Sequence, residues 1–296
     1  MEEPIKHIVI QGGGSIGFNY IGMIKCLYEQ KIINPLNIES IFATSIGTLI
    51  ATFICLKIEW NIIVDYIINR PWKNVFKISS KHIMNIYQDK GLFGQNTIDI
   101  VLKPLLKSVD LKSSINLKDF YEYSKINIHF FTFDLNKHET IDINHVSYPD
   151  LELSKAIYMS SSCPILFSPC IQDTNCFIDG GVLCNYPLHE CVKIYENTKH
   201  IFGLRYVLKN NTTVQINSDS NVIDYIFALL NIKIIPSEKQ NPIPVIEHEV
   251  ISECNESPMS LNILIELVLH EEKRSKLIKD GEIDVMNWIK KKDKIN

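Results

Sequence analysis

Short apolar runs alternate with stretches of helical period through the first two hundred residues. The runs at 7–11, 40–44, 127–135, 138–143, 176–178 and 200–207 read as strands, because short apolar or β-branched runs bounded by turn formers fit a strand in a buried sheet. Residues 18–30 place Ile21, Ile24, Cys26, Leu27 and Tyr28 on one broad face, as a helix requires. Residues 46–56 are almost wholly apolar, the mark of a helix buried inside an α/β domain. Residues 96–106 begin on Asn96, a good N-cap. Residues 151–161 stop short of Pro164, and 187–195 open on Pro187, which a first helical turn accepts. The polar stretches 210–221 and 236–258, the second with four prolines, read as loops. A long helix is expected over 261–279, with a further one after Gly281. Such alternation predicts an α/β fold: a three-layer α/β/α arrangement with a mainly parallel central sheet, plus a helical C-terminal appendage.

Three of these strands run into turns built from small residues. Gly12-Gly13-Gly14-Ser15-Ile16-Gly17 follows the first, Ser45-Ile46-Gly47 follows the second after Ala43 and Thr44, and Asp179-Gly180-Gly181 follows the fifth. Each sits at the carboxyl end of a strand, where open parallel sheets place their sites. Consecutive glycines expose backbone N–H groups suited to a developing oxyanion. Ser45 stands where a sharp strand-to-helix turn presents a nucleophile, and the helix beginning at Ile46 directs its positive end at that oxygen. Asp179 adds a carboxylate. Each piece has a plainer alternative. The first motif also satisfies a dinucleotide-binding pattern, but the acid expected after the second strand is missing and Glu39 lies at the wrong end. Ser45 alone serves equally as a helix cap, and Asp-Gly-Gly alone as a turn.

Composition narrows the class. The 296 residues are 46% hydrophobic and 22% charged, enough for a sizeable core. A formal net charge of −4 with no basic stripe argues against nucleic acid as a partner. The run Lys290-Lys291-Lys292-Asp293-Lys294 reads as a solvated helix end. Eight irregularly spaced cysteines form neither a disulfide scaffold nor a Cys-x-x-Cys zinc pair. No signal peptide and no membrane span is evident, so the expected location is cytoplasmic or peripheral to a membrane surface. The oligomeric state is left open.

These motifs resemble the patatin-like phospholipase family. Asp179-Gly180-Gly181-Val182-Leu183-Cys184-Asn185-Tyr186-Pro187 is similar to its Asp-Gly-Gly-x-x-x-Asn-x-Pro pattern, and Ser160-Ser161-Ser162-Cys163-Pro164-Ile165-Leu166-Phe167-Ser168-Pro169 to the segment preceding it. The resemblance implies a lipid acyl hydrolase domain over residues 6–206 and a helical extension over 207–296. It implies a metal-independent serine esterase without cofactor, with Ser45 as nucleophile, Asp179 as general base and Gly12, Gly13 and Gly14 as oxyanion hole. Gly17, Ala43, Gly47, Gly180 and Gly181 would support the three motifs. The implied partner is a phospholipid or other glycerolipid at a membrane surface. Two positions depart from the family: Ile16 replaces a common Arg or Lys, and Ala43 replaces the first glycine of the serine turn. They leave room for a catalytically weak protein that binds lipid or a partner. His189, His200, His248 and His270 follow the acid in the order a Ser–His–Asp triad would need. The aromatic-rich connection through Trp60, Ile62, Ile63, Trp72, Val75, Phe76, Ile83, Ile86, Tyr87, Leu92 and Phe93 reads as a lid or as core.

Overall fold

Strand alternation sorts the apolar residues onto two faces of one sheet. The computed structural model describes residues 3–77, 86–209, 242–255 and 261–294, with positions 216, 218, 225, 226, 228 and 229. The expected loop at 210–221, the start of that at 236–258 and Ile83 fall largely or wholly outside these residues. Strands β1 (His7–Ile10), β2 (Ser40–Thr44), β4 (Asn127–Asp134) and β9 (Ile201–Leu208) form the centre. Ile8, Ile10, Ile41, Ala43, Ile128, Phe130, Phe202 and Leu204 point to the larger core. Val9, Phe42, Phe131 and Ile201 point to the other face. Successive side chains of a strand alternate in this way, and apolar residues on both faces demand a cover on each.

Helices supply both covers. On the larger side lie α1 (Gly17–Glu29), α2 (Ile46–Leu56), α3 (Trp60–Asn69), α4 (Gln95–Ser108), α5 (Leu117–Ser124) and α6 (Leu153–Ser161). The other face is covered by α7 (Leu188–Ile194) through Leu188 and Cys191. Helix α3 falls in the connection after the serine turn, where only lid or core was expected.

The sheet order is β10 (His248–Cys254), β9, β1, β2, β4, β8 (Asn175–Asp179), β7 (Cys170–Gln172). The first five run parallel to one another. The strands β5 (Glu139–Ile143), β7 and β8 pair antiparallel. A separate parallel pair joins β3 (Gly91–Phe93) to β6 (Ile165–Phe167).

The register around β4 brings two distant turns together. Residues 127–131 of β4 pair with β2, and residues 132–134 pair with β8. β5 pairs with residues 130–134, overlapping both, so it must hold the opposite edge. β2 and β8 therefore share one edge of β4 and run toward each other. Thr44 lies across from Phe131 and Asp179 from Thr132, so the carboxyl ends of the two strands abut. The glycine loop and the Ser45 turn do lie at the carboxyl ends of the parallel strands β1 and β2. The acid instead arrives on an antiparallel strand from the opposite direction.

The C-terminal region departs from the sequence expectation in two ways. β10 extends the central sheet within the stretch expected as a loop. It is an edge strand carrying Glu249 and Glu253 and following two prolines, features that disguise a strand in sequence and that edges commonly carry. The expected helix at 261–279 breaks at His270 into α8 (Leu261–Leu269) and α9 (Glu271–Lys292). Gly281 does not break α9. A Cβ on Gly281 would lie 2.0 Å from Asn19 O, and one on Gly22 would lie 1.8 Å from Ile278 O. The two glycines let α9 press its backbone against α1. Arg274, 4% exposed, donates to Leu267 O and Ile68 O, tying α9 to the C-terminal ends of α8 and α3. Helix C-termini carry partial negative charge, which suits a buried guanidinium. Among the described residues no helix is long and apolar enough to cross a membrane.

Candidate active site

The turn after β2 has to reverse within one residue. Ser45 does so at φ 54°, ψ −125°, a backbone region that L-residues populate only under strain. It occupies the N-cap of α2, yet its side chain makes no capping hydrogen bond. Instead Ser45 Oγ donates to Asp179 Oδ2 at 2.6 Å. The elbow is held from below: Ser45 N–H donates to Ser160 Oγ at 2.9 Å, and Ser160 Oγ–H donates to Phe131 O. Thr48 Oγ1 and the Thr48 N–H both donate to Ser45 O. Ala43 is fully buried in β2 between Ile10 and Phe130, and its methyl belongs to the core.

Asp179 is 6% exposed and has two partners: the Ser45 hydroxyl at Oδ2 and the Gly181 N–H at Oδ1, 2.7 Å away. Burial raises its pKa from 3.8 to about 6, while the two hydrogen bonds pull it back down. It remains mostly ionised at neutral pH and is a far stronger base than a solvated carboxylate.

The glycine loop follows β1 and stands over the elbow. Gly13 has φ 147°, which L-residues rarely adopt, and Gly14 φ 55°, which favours glycine. The N–H of Gly12 donates to Asn185 O, whereas nothing among the described residues accepts from the N–H of Gly13 or Gly14. Of the three glycines expected to form the oxyanion hole, only these two have free amides. Ile46, the first residue of α2, adds another N–H without an intrahelical partner. Gly12, Gly17, Gly47, Gly180 and Gly181 all sit where a Cβ would come within 3.0 Å of another atom. At Gly12 and Gly181 that atom is Asn185 Oδ1, which packs between the two loops. Ile16 is buried at 2% exposure and brings no charge to the loop.

Ser160 and Asn185 are parts of the sequence patterns above, with no role that the sequence alone assigns. Their placement shows what they do: one holds the elbow, the other joins the glycine loop to the Asp-Gly-Gly turn. Serine near the end of a helix and asparagine two residues before a proline carry no signal of a distant partner.

A cavity of about 500 Å³ opens beside Ser45. Leu49 and Phe53 of α2, Phe76, Phe93, and Leu264 and Val268 of α8 wall it. The aromatic connection thus divides its work. Ile63 and Trp72 are core, Phe76 and Phe93 line the cavity, and Ile62 and Tyr87 are exposed. Among the described residues no histidine lines this cavity or bonds to Ser45 or Asp179. His200 meets Glu3, His248 meets Lys292 and His270 meets Glu272. All eight cysteines are free thiols, and among the described residues no three His, Cys, Asp or Glu side chains gather as a metal site.

The sequence profile of the patatin-like phospholipases matches residues 8–192. The chain is 26% identical over 187 residues to uncharacterized protein R571 of Acanthamoeba polyphaga mimivirus, covering 63% of this chain and 61% of that one. It is 25% identical over 199 residues to a probable lipid hydrolase, 463L, of Invertebrate iridescent virus 6, covering 66% of each. The alignments thus span somewhat under two thirds of those relatives' lengths. The crystal structure of VipD from Legionella pneumophila shares the fold, with a TM-score of 0.55 at 16% identity, covering 96% of this chain and 66% of that one.

Proposed function

Since this chain belongs to the patatin-like phospholipase family, we propose that it is a metal-independent serine lipid acyl hydrolase working through a Ser45–Asp179 dyad. The observation that carries this reading is the 2.6 Å contact between Ser45 Oγ and Asp179 Oδ2 beside an apolar cavity of about 500 Å³. A hydroxyl paired to a buried carboxylate is an activated nucleophile, and an apolar cavity of this size suits a fatty-acyl chain.

In the proposed reaction Asp179 takes the Ser45 proton as Oγ attacks the ester carbonyl of a glycerolipid. The carbonyl oxygen gains the negative charge and turns toward the amides of Gly13, Gly14 and Ile46. One such donor is worth on the order of 3 kcal/mol of barrier. Collapse expels the glycerol oxygen, which leaves with the proton from Asp179. Water then attacks the acyl-enzyme, giving its proton to Asp179, and the fatty acid departs as Ser45 recovers its hydrogen. The positive end of α2 steadies the seryl oxygen throughout.

The test compares wild type with Ser45→Ala on a fluorogenic phospholipid. Turnover by wild type and none by the variant is the expected result; equal turnover by both would sink the dyad. Buried, uncharged Ile16 favours a second reading, a lipid-binding protein with little turnover. Wild type that binds the lipid analogue without cleaving it would establish that alternative.

A further inference from the structure

The rim of the cavity carries charge that the ester chemistry does not use. Lys73 and Lys77 stand at this opening with exposed side chains. Among the described residues neither pairs with a carboxylate. Phe76, between them in sequence, turns inward to the cavity. The lip contributed by α8 presents Ile265, 38% exposed, and Leu269, 57% exposed. These two are four residues apart, so they share one face of the helix. Glu266, the acid on that helix, is engaged by Lys273.

We propose that this mouth is the face the protein sets against a bilayer bearing anionic lipid. The inference rests on the acyl hydrolase reading and names the surface that reading needs. An apolar lip at headgroup depth lets an acyl chain pass from bilayer to cavity without crossing water. The two lysines supply the attraction. The chain as a whole is negative, with a net charge of −4, so overall charge would repel such a membrane. Only a local cationic rim orients the cavity toward it. Apolar side chains and unpaired cations on one rim fit a lipid surface better than a protein partner of either sign.

Flotation on phosphatidylcholine vesicles with and without phosphatidylserine tests this. Ser45→Ala protein is used, so that no lipid is consumed. Tighter partition onto the anionic vesicles is expected, and salt should reverse it because the lysines are exposed. Lys73→Gln/Lys77→Gln in the same background should lose about 30-fold of that partition, each lysine near an anionic surface contributing comparably. Ile265→Asp should weaken partition onto both vesicle types. Equal partition of the starting protein onto both vesicles, insensitivity to salt, or a double variant that binds unchanged would each overturn the proposal. The salt titration needs no lysine variant and stands if one fails to fold. Wild-type turnover of a water-soluble short-chain ester is measured alongside. Its absence would count against the hydrolase reading, whereas its presence without anionic preference would count against the docking face alone.

Discussion

Asp179→Asn should make the protein inactive and more stable, by an amount that depends on pH. In the folded state the carboxyl is raised from 3.8 to about 6, chiefly by burial. Between those values the folded protein holds a proton that the unfolded chain has released. Stability therefore falls as pH rises through this window and levels off above about 6. At pH 7.5 the ionised group costs about 3 kcal/mol of folding free energy, and at pH 5 about half that. Asparagine keeps the shape: its Oδ1 accepts from Gly181 N–H and its amide faces Ser45 Oγ, while the charge is gone. The variant should melt about 6 °C above wild type at pH 7.5, with the gap roughly halved at pH 5. Thermal melting of the pair from pH 4.5 to 8.5 measures this, and groups that titrate alike in both proteins cancel. Turnover should fall roughly 10²–10⁴-fold with loss of the base. In wild type kcat/KM should drop about tenfold per pH unit below about 6. A gap that does not change with pH, or a variant less stable than wild type at pH 7.5, would refute the claim that this carboxylate is desolvated.

Three other substitutions probe the scaffold. Ser160→Ala leaves the buried Ser45 N–H without its acceptor and should cost about 1–3 kcal/mol; urea unfolding with turnover measured beside it should show both falling. Gly180→Ala places a Cβ 2.1 Å from Phe131 O at the junction of β4 and β8, and a loss of at least about 1–3 kcal/mol is expected; a melting temperature unchanged from wild type would contradict the packing described. Arg274→Met removes hydrogen bonds to Ile68 O and Leu267 O. It should destabilise by about 2–4 kcal/mol, and hydrogen exchange should rise first in residues 261–269, the wall of the cavity.

The strand and the helix that flank Ser45 were legible because their signals are local. Residues 40–44 and 46–56 appear in the structure with the bounds expected of them, since a fully apolar run leaves few alternatives in a buried α/β core. Strand β10 was hidden for the opposite reason: His248–Cys254 is a charged edge strand in which only alternate residues are buried. Helix α3 did carry a local signal, with Trp60, Ile63, Val64, Ile67 and Ile68 on one helical face and Asn61, Asp65 and Asn69 on the other. The break after Leu269 and the continuity through Gly281 were reversed, because the first depends on Arg274 reaching back to Leu267 and the second on α1 lying against α9.

What the chain determines by itself are the turns. A strand that must reverse into a helix within one residue tolerates only small neighbours, and a loop with consecutive positive φ favours glycine, so Gly13, Gly14 and the surroundings of Ser45 announce themselves in any reading of the residues. The meeting of Ser45 with Asp179 depended on β4 offering one edge to two strands that approach head-on, a pairing 134 positions apart in sequence. The basicity of Asp179 and the cavity wall from 261–269 were likewise settled by packing. Burial and dielectric belong to the assembled core, and no local stretch of chain contains them.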